Sequence, residues 1–178
     1  MRFRSPGFFF DAGLDILRRG YIRRKFFLEE YLGEVLLSLR PRLKKTKLQV
    51  TVHCPKDLQL DSYPGAFSQI VTNLIINSLV HAFDEGQEGS ITIAAASRGD
   101  SLVLTYADSG KGMPVEVQKR VFDPFFTTAR AKGGTGLGMH IVYNLVTQTL
   151  GGALGCESHP GQGTTFTLTL PLAPPAQT

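Results

Sequence analysis

Apolar residues along this chain recur with two different periods, and the order in which those periods alternate is the first structural signal. From Leu28 to Lys47 the residues Leu28, Tyr31, Leu32, Val35, Leu36, Leu39 and Leu43 recur at helical spacing, as in a helix with one buried face. Gln49-Val50-Thr51-Val52-His53 then alternates, as a half-buried strand does. A second helix is expected from Pro64, capped by Ser62 or Tyr63, to about Phe83; it presents Phe67, Ile70, Val71, Leu74, Ile75 and Leu79 to a core. The polar turn Asp84–Gly89 leads into strands Ser90–Ser97 and Ser101–Ala107, a hairpin closed by Arg98-Gly99-Asp100. A short helix is expected over Pro114–Val121. The Gly-rich stretch Lys132–Gly138 feeds another through Leu150, stopped by Gly151-Gly152. Strands Ala153–Ser158 and Thr164–Leu170 flank the Pro160-Gly161-Gln162-Gly163 turn. Helices intervene between some strands and tight turns between others. The expected fold is therefore an α+β two-layer α/β sandwich, a mixed sheet with helices on one face.

The length of 178 residues suits one domain with a real core. Residues 1–27 read as a linker or the truncated end of an upstream dimerisation helix, residues 28–171 as the folded unit and 172–178 as a flexible tail. No apolar run reaches the ~18 residues of a membrane span, and the start lacks a signal-peptide core, so a cytoplasmic domain without membrane contact is expected. Cys54 and Cys156 are too few for a disulfide scaffold and read as buried free thiols. Residues 1–47 hold twelve Lys/Arg against five Asp/Glu, and the remainder seven against ten. That basic front is interleaved with Phe, Leu and Glu and carries no nucleic-acid fold motif, so it reads as a solvated helix or linker, with no nucleic-acid partner expected.

Candidate chemistry sits in four segments. Asn73, Asn77 and His81 stand at i, i+4 and i+8, a polar row along one face of an otherwise apolar helix. Neutral amide oxygens suit Mg²⁺ that keeps waters and phosphate oxygens, although a lone helical Asn is more often a cap or a solvent-facing residue. Asp108-Ser109-Gly110-Lys111-Gly112-Met113 ends a strand. A carboxylate there can accept from an exocyclic amine, and the glycines let backbone approach a flat ring; Asp-Ser-Gly is also an ordinary turn. Phe122-Asp123-Pro124-Phe125-Phe126-Thr127-Thr128 is an aromatic cluster whose simplest account is core packing. Gly133-Gly134-Thr135-Gly136-Leu137-Gly138 opens a helix, where free backbone N–H groups form an anion site, though a Gly-rich turn alone is more often a loop. Its spacing fits neither the P-loop nor the Rossmann fingerprint.

In this order and spacing the four segments resemble the N, G1, F and G2 boxes of the histidine-kinase catalytic domain. Its superfamily is shared with gyrase, the heat-shock chaperone ATPase and the mismatch-repair ATPases. The resemblance runs from about Phe27 to Pro171 and includes the closing hairpin Pro160–Pro171. It implies a Bergerat-type ATP-binding fold, ATP and Mg²⁺ as ligands, and γ-phosphoryl transfer to a histidine in two-component signalling. By that resemblance Asn77 is the Mg²⁺ ligand, Asn73 the catalytic position near the γ-phosphate, and His81 edges the nucleotide. Asp108 holds the adenine amino group, Gly110, Gly112 and Met113 shape its pocket, and Thr164 hydrogen-bonds near Asp108. Phe122, Phe125 and Phe126 anchor a lid of about Thr127 to Thr135 that includes Thr128, and the amides of Gly134, Thr135, Gly136, Leu137 and Gly138 wrap the phosphates. Two positions depart from the family pattern. Where the N box often carries Lys and then an aromatic residue, this chain has Val80 and His81, which leaves Arg130 or Lys132 as the phosphate cation. Tyr63 replaces a frequent Asp before the Pro-Gly.

Hydrolytic ATPases of the superfamily resemble one another in carrying Glu as a base one helical turn before the metal Asn. Asn73 stands there, and an amide cannot accept the proton, which disfavours hydrolysis. A related serine kinase that silences a sigma factor has shorter motifs and usually lacks the Phe segment. A nucleotide-binding module without transfer is the remaining alternative, against which all four boxes are intact. None of His53, His81, His140 and His159 sits in an acceptor-like H-E-x-x-x-P helix. The phosphoacceptor is therefore expected on an upstream or partner dimerisation domain, with a response regulator as the further partner.

Overall fold

The computed structural model describes residues 22–129 and 134–173. In chain order the elements are β1 (Arg24–Phe27), α1 (Leu28–Leu43), β2 (Lys47–His53), β3 (Gln59–Ser62), α2 (Pro64–Asn77), β4 (Glu88–Arg98) and β5 (Ser101–Asp108). They continue with a short α3 (Val115–Gln118), α4 (Gly138–Asn144), β6 (Ala153–Ser158) and β7 (Thr164–Pro171). Five strands form one sheet in the order β2-β4-β5-β7-β6. The β2–β4 pair, with α2 between them in sequence, is parallel; the other pairs are antiparallel. The mixed sheet with helices is the α+β architecture expected from the sequence.

Strand alternation decides which side chains enter the core. In β5 and β7 the inward positions Leu102, Leu104, Tyr106, Phe166, Leu168 and Leu170 are at most 1% exposed. The register sets Tyr106 opposite Phe166 and Leu104 opposite Leu168. Against this face α2 lays Phe67, Ile70, Val71, Leu74 and Ile75, and the α4 segment lays Met139, Val142, Leu145 and Val146. Leu28, Leu32, Val35 and Leu39 of α1 complete the core at helical spacing. Glu29 and Glu30 in its first turn and Arg40 and Arg42 in its last match the helix dipole.

Two local features differ from the periodicity reading. The helix from Pro64 does not stay α-helical to Phe83: after Asn77 it widens into a π turn, Ser78–Ala82, and α4 widens likewise at Leu145–Thr149. A π turn holds one more residue than an α turn and rotates the residues beyond it, so Ala82 is buried at 8% exposure while Leu79, expected inside, is only partly buried. The second feature is a small antiparallel sheet of β1 and β3, pairing Phe26 with Leu60. Arg23 donates from Nε and Nη2 to the two carboxylate oxygens of Asp61, at 3.1 and 3.2 Å. Four-residue strands are too short for alternation to mark them, and the segment Arg24–Phe27, expected as linker, thus carries core packing. Residues 1–21 and 174–178 lie outside the described residues.

Among the described residues no helix is long and apolar enough to cross a membrane. Cys54 and Cys156 are free and half-buried, and their thiols are pushed up to about 11 and about 12, chiefly by burial. Both therefore stay protonated at neutral pH.

Phe26 meets Tyr31 and Phe67 edge-on, with ring centroids at 5.3 and 5.8 Å. Phe26→Ala is expected to lower stability by about 3–5 kcal/mol, the range for a buried aromatic ring. Urea unfolding checks it, and an unmoved midpoint would mean that β1 is a passive linker.

Candidate functional site

Because α2 buries only one face, its other face is available to line a cleft. Asn73, Asn77 and His81 all do so. A recess of about 280 Å³ is lined by Asn73, Asn77, Val80 and His81 on one side and by Gly134, Thr135, Gly136 and Gly138 on the other. A neighbouring recess of about 480 Å³ is lined by Asn77, His81, Lys111, Gly112, Met113, Phe126, Thr127 and Thr128, with Pro114, Val117, Val121 and Pro160 completing its wall. Asn77, His81 and Phe126 border both, so the two recesses are arms of one cleft. The π turn does not take His81 out of the row; its Nδ1 lies 3.1 Å from Thr128 Oγ1, across the larger arm. Asn73 Oδ1 accepts from Gln69 Nε2 at 3.2 Å, while its Nδ2 is buried without a partner among the described residues. A buried, unpartnered N–H donor on a cleft wall fits an anionic oxygen.

Asp108 is the last inward position of β5, two residues after Tyr106, which is why a carboxylate ends up only 7% exposed. Its Oδ2 accepts from Ser78 Oγ at 2.7 Å and its Oδ1 from the Gly110 amide at 3.0 Å. Burial pushes its pKa up, and the hydrogen bonds from Ser78 and from the amides of Gly110 and Thr164 oppose that rise. Tyr106 donates to Ser78 Oγ at 2.8 Å. Ser78, the first residue of the π turn, continues the buried row of α2 four residues after Leu74, and helical spacing alone is enough to find it.

The loop after Asp108 is clamped on both sides. Lys111 donates its amide to the Ala82 carbonyl at 2.9 Å and accepts from the Gly161 amide at 2.7 Å. Gly112 has φ 67°, and a Cβ there would run into the His159 carbonyl, so the sequence needs glycine at this turn. At the other end of the cleft Phe125 has φ 63° and is 52% exposed. It abuts Gly136, whose added Cβ would lie 2.5 Å from the Phe125 carbonyl carbon. A left-handed bulky residue costs of order 1–3 kcal/mol and marks a segment shaped by its surroundings.

The remaining expected site residues are more scattered. Gly110 packs on Ala82, and Asp108, Thr164, Phe122 and Leu137 border neither arm. Thr164 Oγ1 bonds Ser158 Oγ at 2.9 Å, and Ser158 also receives the Met113 amide at 2.8 Å. The side chain of Thr164 is thus engaged with Ser158, and its backbone amide serves Asp108. Phe122 packs on Tyr143 with tilted rings and meets Phe166 edge-on, with centroids at 5.6 and 6.2 Å. Leu137 is the N-cap residue of α4. Arg130 and Lys132 lie outside the described residues. Lys111, exposed at the larger arm, is a site residue that the motifs do not single out, although it stands inside the D-S-G-K-G-M segment.

A carboxyl whose pKa is raised by folding favours the folded state most when protonated. Its contribution is complete below the unfolded value of about 4 and is lost as pH rises through the raised folded value. The ionised form of Asp108 is therefore less favourable to the fold than the protonated form. The parent is expected to gain on Asp108→Asn in melting temperature as pH falls from 7 toward about pH 4, because only the parent takes up that proton. Calorimetry across that range checks it, and a difference between the two that does not change with pH would refute it.

Compared with known proteins, residues 63–174 match the family described as histidine kinase-, DNA gyrase B-, and HSP90-like ATPase. The sensor histidine kinase ZraS of Klebsiella oxytoca is 42% identical over 119 residues, covering 66% of this chain and 24% of that protein. The alginate biosynthesis sensor protein KinB of Pseudomonas aeruginosa is 32% identical over 149 residues, covering 84% of this chain and 21% of its own length. The chain thus spans about a quarter or less of these curated relatives. Among solved structures, the nucleotide-free catalytic domain of histidine kinase ThkA superposes with a TM-score of 0.73 at 25% identity, covering 86% of this chain and 97% of that one. Full-length ShkA in complex with AMPPNP gives 0.68 at 26% identity, covering 88% of this chain and 32% of that one. The matched residues take in every position that lines the cleft, and the chain belongs to the histidine kinase-, DNA gyrase B- and HSP90-like ATPase family.

Proposed function

We propose that this chain binds Mg²⁺–ATP and transfers the γ-phosphoryl group to a histidine on an upstream or partner dimerisation domain, in two-component signal transduction with a response regulator as further partner. The observation that carries the proposal is the cleft, whose smaller arm sets the Asn73–Asn77–His81 row against the Gly134–Gly138 turn. AMPPNP, the ligand of the ShkA complex, is of the same chemical class. An ATP-using domain of this kind works on the cytoplasmic side.

In this reading the base end lies toward Asp108, Gly112 and Met113, and the phosphates lie in the smaller arm. The unpartnered Nδ2 of Asn73 donates to a phosphate oxygen. The amides of Gly134 to Gly138 donate to further ones. Asn77 supplies an amide oxygen where the arms meet, which suits Mg²⁺, an ion that takes few protein ligands and keeps waters and phosphate oxygens. Among the described residues no group of three or more His, Cys, Asp or Glu gathers as a metal cage, so the ion would be of that sparsely ligated kind. When bound, Mg²⁺ offsets the charge of the transferring phosphoryl group. Asn73 stands where a water-activating base would, and its Oδ1 is taken by Gln69. The chain therefore positions the phosphates and neutralises their charge without activating water. His140 is held between the Phe122 carbonyl and Asn144, at 3.0 and 3.1 Å, and His81 belongs to the cleft wall, so neither is placed as the acceptor.

Isothermal titration of a non-hydrolysable ATP analogue should show binding that strengthens with Mg²⁺. Asn77→Ala should cut the Mg²⁺-dependent affinity roughly tenfold or more. With ATP and a cognate dimerisation domain, acid-labile, base-stable phosphate should appear on that partner. No binding at millimolar analogue, rapid hydrolysis by the chain alone, or phosphate on its own histidines would each refute the proposal.

A further inference from the structure

We infer that Tyr106 and Ser78 form a buried hydroxyl relay that holds Asp108 as a hydrogen-bond acceptor, and that this relay sets the preference of the site for a 6-amino over a 6-oxo purine. The specificity half rests on the proposed nucleotide reading; the relay itself does not. Tyr106 and Ser78 are positioning residues that act through Asp108.

The geometry fixes the direction of the relay. Tyr106, Ser78 and Asp108 are 1%, 0% and 7% exposed. Tyr106 OH lies 2.8 Å from Ser78 Oγ, and Ser78 Oγ lies 2.7 Å from Asp108 Oδ2. Each hydroxyl has one proton. An ionised Asp108 only accepts, so the Ser78 proton points at it and the Tyr106 proton points at Ser78. The opposite arrangement needs a proton on Asp108 Oδ2. It would aim two donors at Ser78 Oγ and turn the Ser78 proton away from Asp108, toward the carbonyls of the preceding turn. The relay therefore opposes protonation of Asp108 just where burial promotes it.

Without the Tyr106 hydroxyl, Ser78 can turn either way. Asp108 can then donate as a neutral acid or accept as a carboxylate. A neutral acid can donate to a 6-oxo group, whereas a carboxylate repels that group and takes the 6-amino N–H. Besides Tyr106, Cys156 on β6 senses Asp108, whose charge helps to raise its thiol. Tyr106 itself is held far above the ordinary phenol range by burial, so it remains a donor.

The test uses the whole chain with Tyr106→Phe and Ser78→Ala, each first shown to unfold cooperatively. The carbon-13 shift of the Asp108 carboxyl is titrated without nucleotide, and affinities for non-hydrolysable ATP and GTP analogues are measured from about pH 5 to about pH 8. Both variants should titrate at higher pH than the parent. The ATP-over-GTP preference should fall about tenfold in Ser78→Ala, as expected for loss of one hydrogen bond to a charge, and severalfold in Tyr106→Phe. In both, the preference should weaken further as pH falls. An unmoved Asp108 titration in Tyr106→Phe overturns the relay. A moved titration with an unchanged purine preference overturns the specificity role. A parent chain that binds neither analogue overturns the nucleotide reading, while the titration still decides the relay.

Discussion

A strand that feeds the core cannot choose the face on which its last residue falls, and that constraint organises this molecule. Period two puts Asp108 on the same side as Tyr106, Leu104 and Leu102, so a carboxylate enters the core. A buried charge is tolerated only with donors around it. Ser78 has to continue the apolar row of α2 into the π turn, and the Gly110 and Thr164 amides have to turn toward the carboxyl. The chain after Asp108 must therefore fold back at once, which explains the tight packing of Gly110 on Ala82 and of Gly112 on the His159 carbonyl. The loop that shapes the larger arm of the cleft is thus a consequence of satisfying one side chain.

The second element of the site comes from the helix opposite. One face of α2 is spent on Phe67, Ile70, Val71, Leu74 and Ile75, and its other flank carries the amide row. These two faces cannot drift independently, since both are set by the same backbone. The π turn at Ser78–Ala82 absorbs the mismatch between them: it keeps Ser78 against Asp108 and Ala82 against Gly110 while His81 stays on the cleft wall. Packing on one side and the cleft wall on the other are adjusted within five residues.

Much of this is legible in the chain because it depends on periodicity. The β5–β7 core, the helical rows and the Asn73–Asn77–His81 alignment all arise from spacing, and the α+β layers from their order. Features that are short or tertiary escape spacing. Arg24–Phe27 and Gln59–Ser62 are too brief to show alternation, so the contribution of Phe26 to the core is invisible in the sequence. The π turns leave no mark in composition, and straight helical spacing accordingly puts Leu79 inside. Phe122 sits in an aromatic run, but the rings it packs against, Tyr143 and Phe166, are brought to it only by the fold. Ser78 and Tyr106 are recoverable in principle. Each is a polar group at a position that periodicity assigns to the core, and that conflict is the signal that a buried partner exists.

The amide at Asn73 bears on how the proposed site would divide labour with its partner. A positioned base contributes about 10²–10⁴-fold to a reaction that must deprotonate its nucleophile, and hydrolysis is such a reaction. A neutral imidazole attacks phosphorus through a nitrogen lone pair and needs no deprotonation first. A cleft that orders phosphates while withholding a base therefore slows the reaction with water far more than the reaction with histidine. In that arrangement discrimination between the two nucleophiles requires no exclusion of water from the cleft; it results from the replacement of one carboxylate by one carboxamide whose oxygen Gln69 already occupies. In the proposed reaction, control of phosphoryl flow then passes to whatever brings the imidazole within reach, so the chemistry of this domain can remain constant while its partner sets the timing.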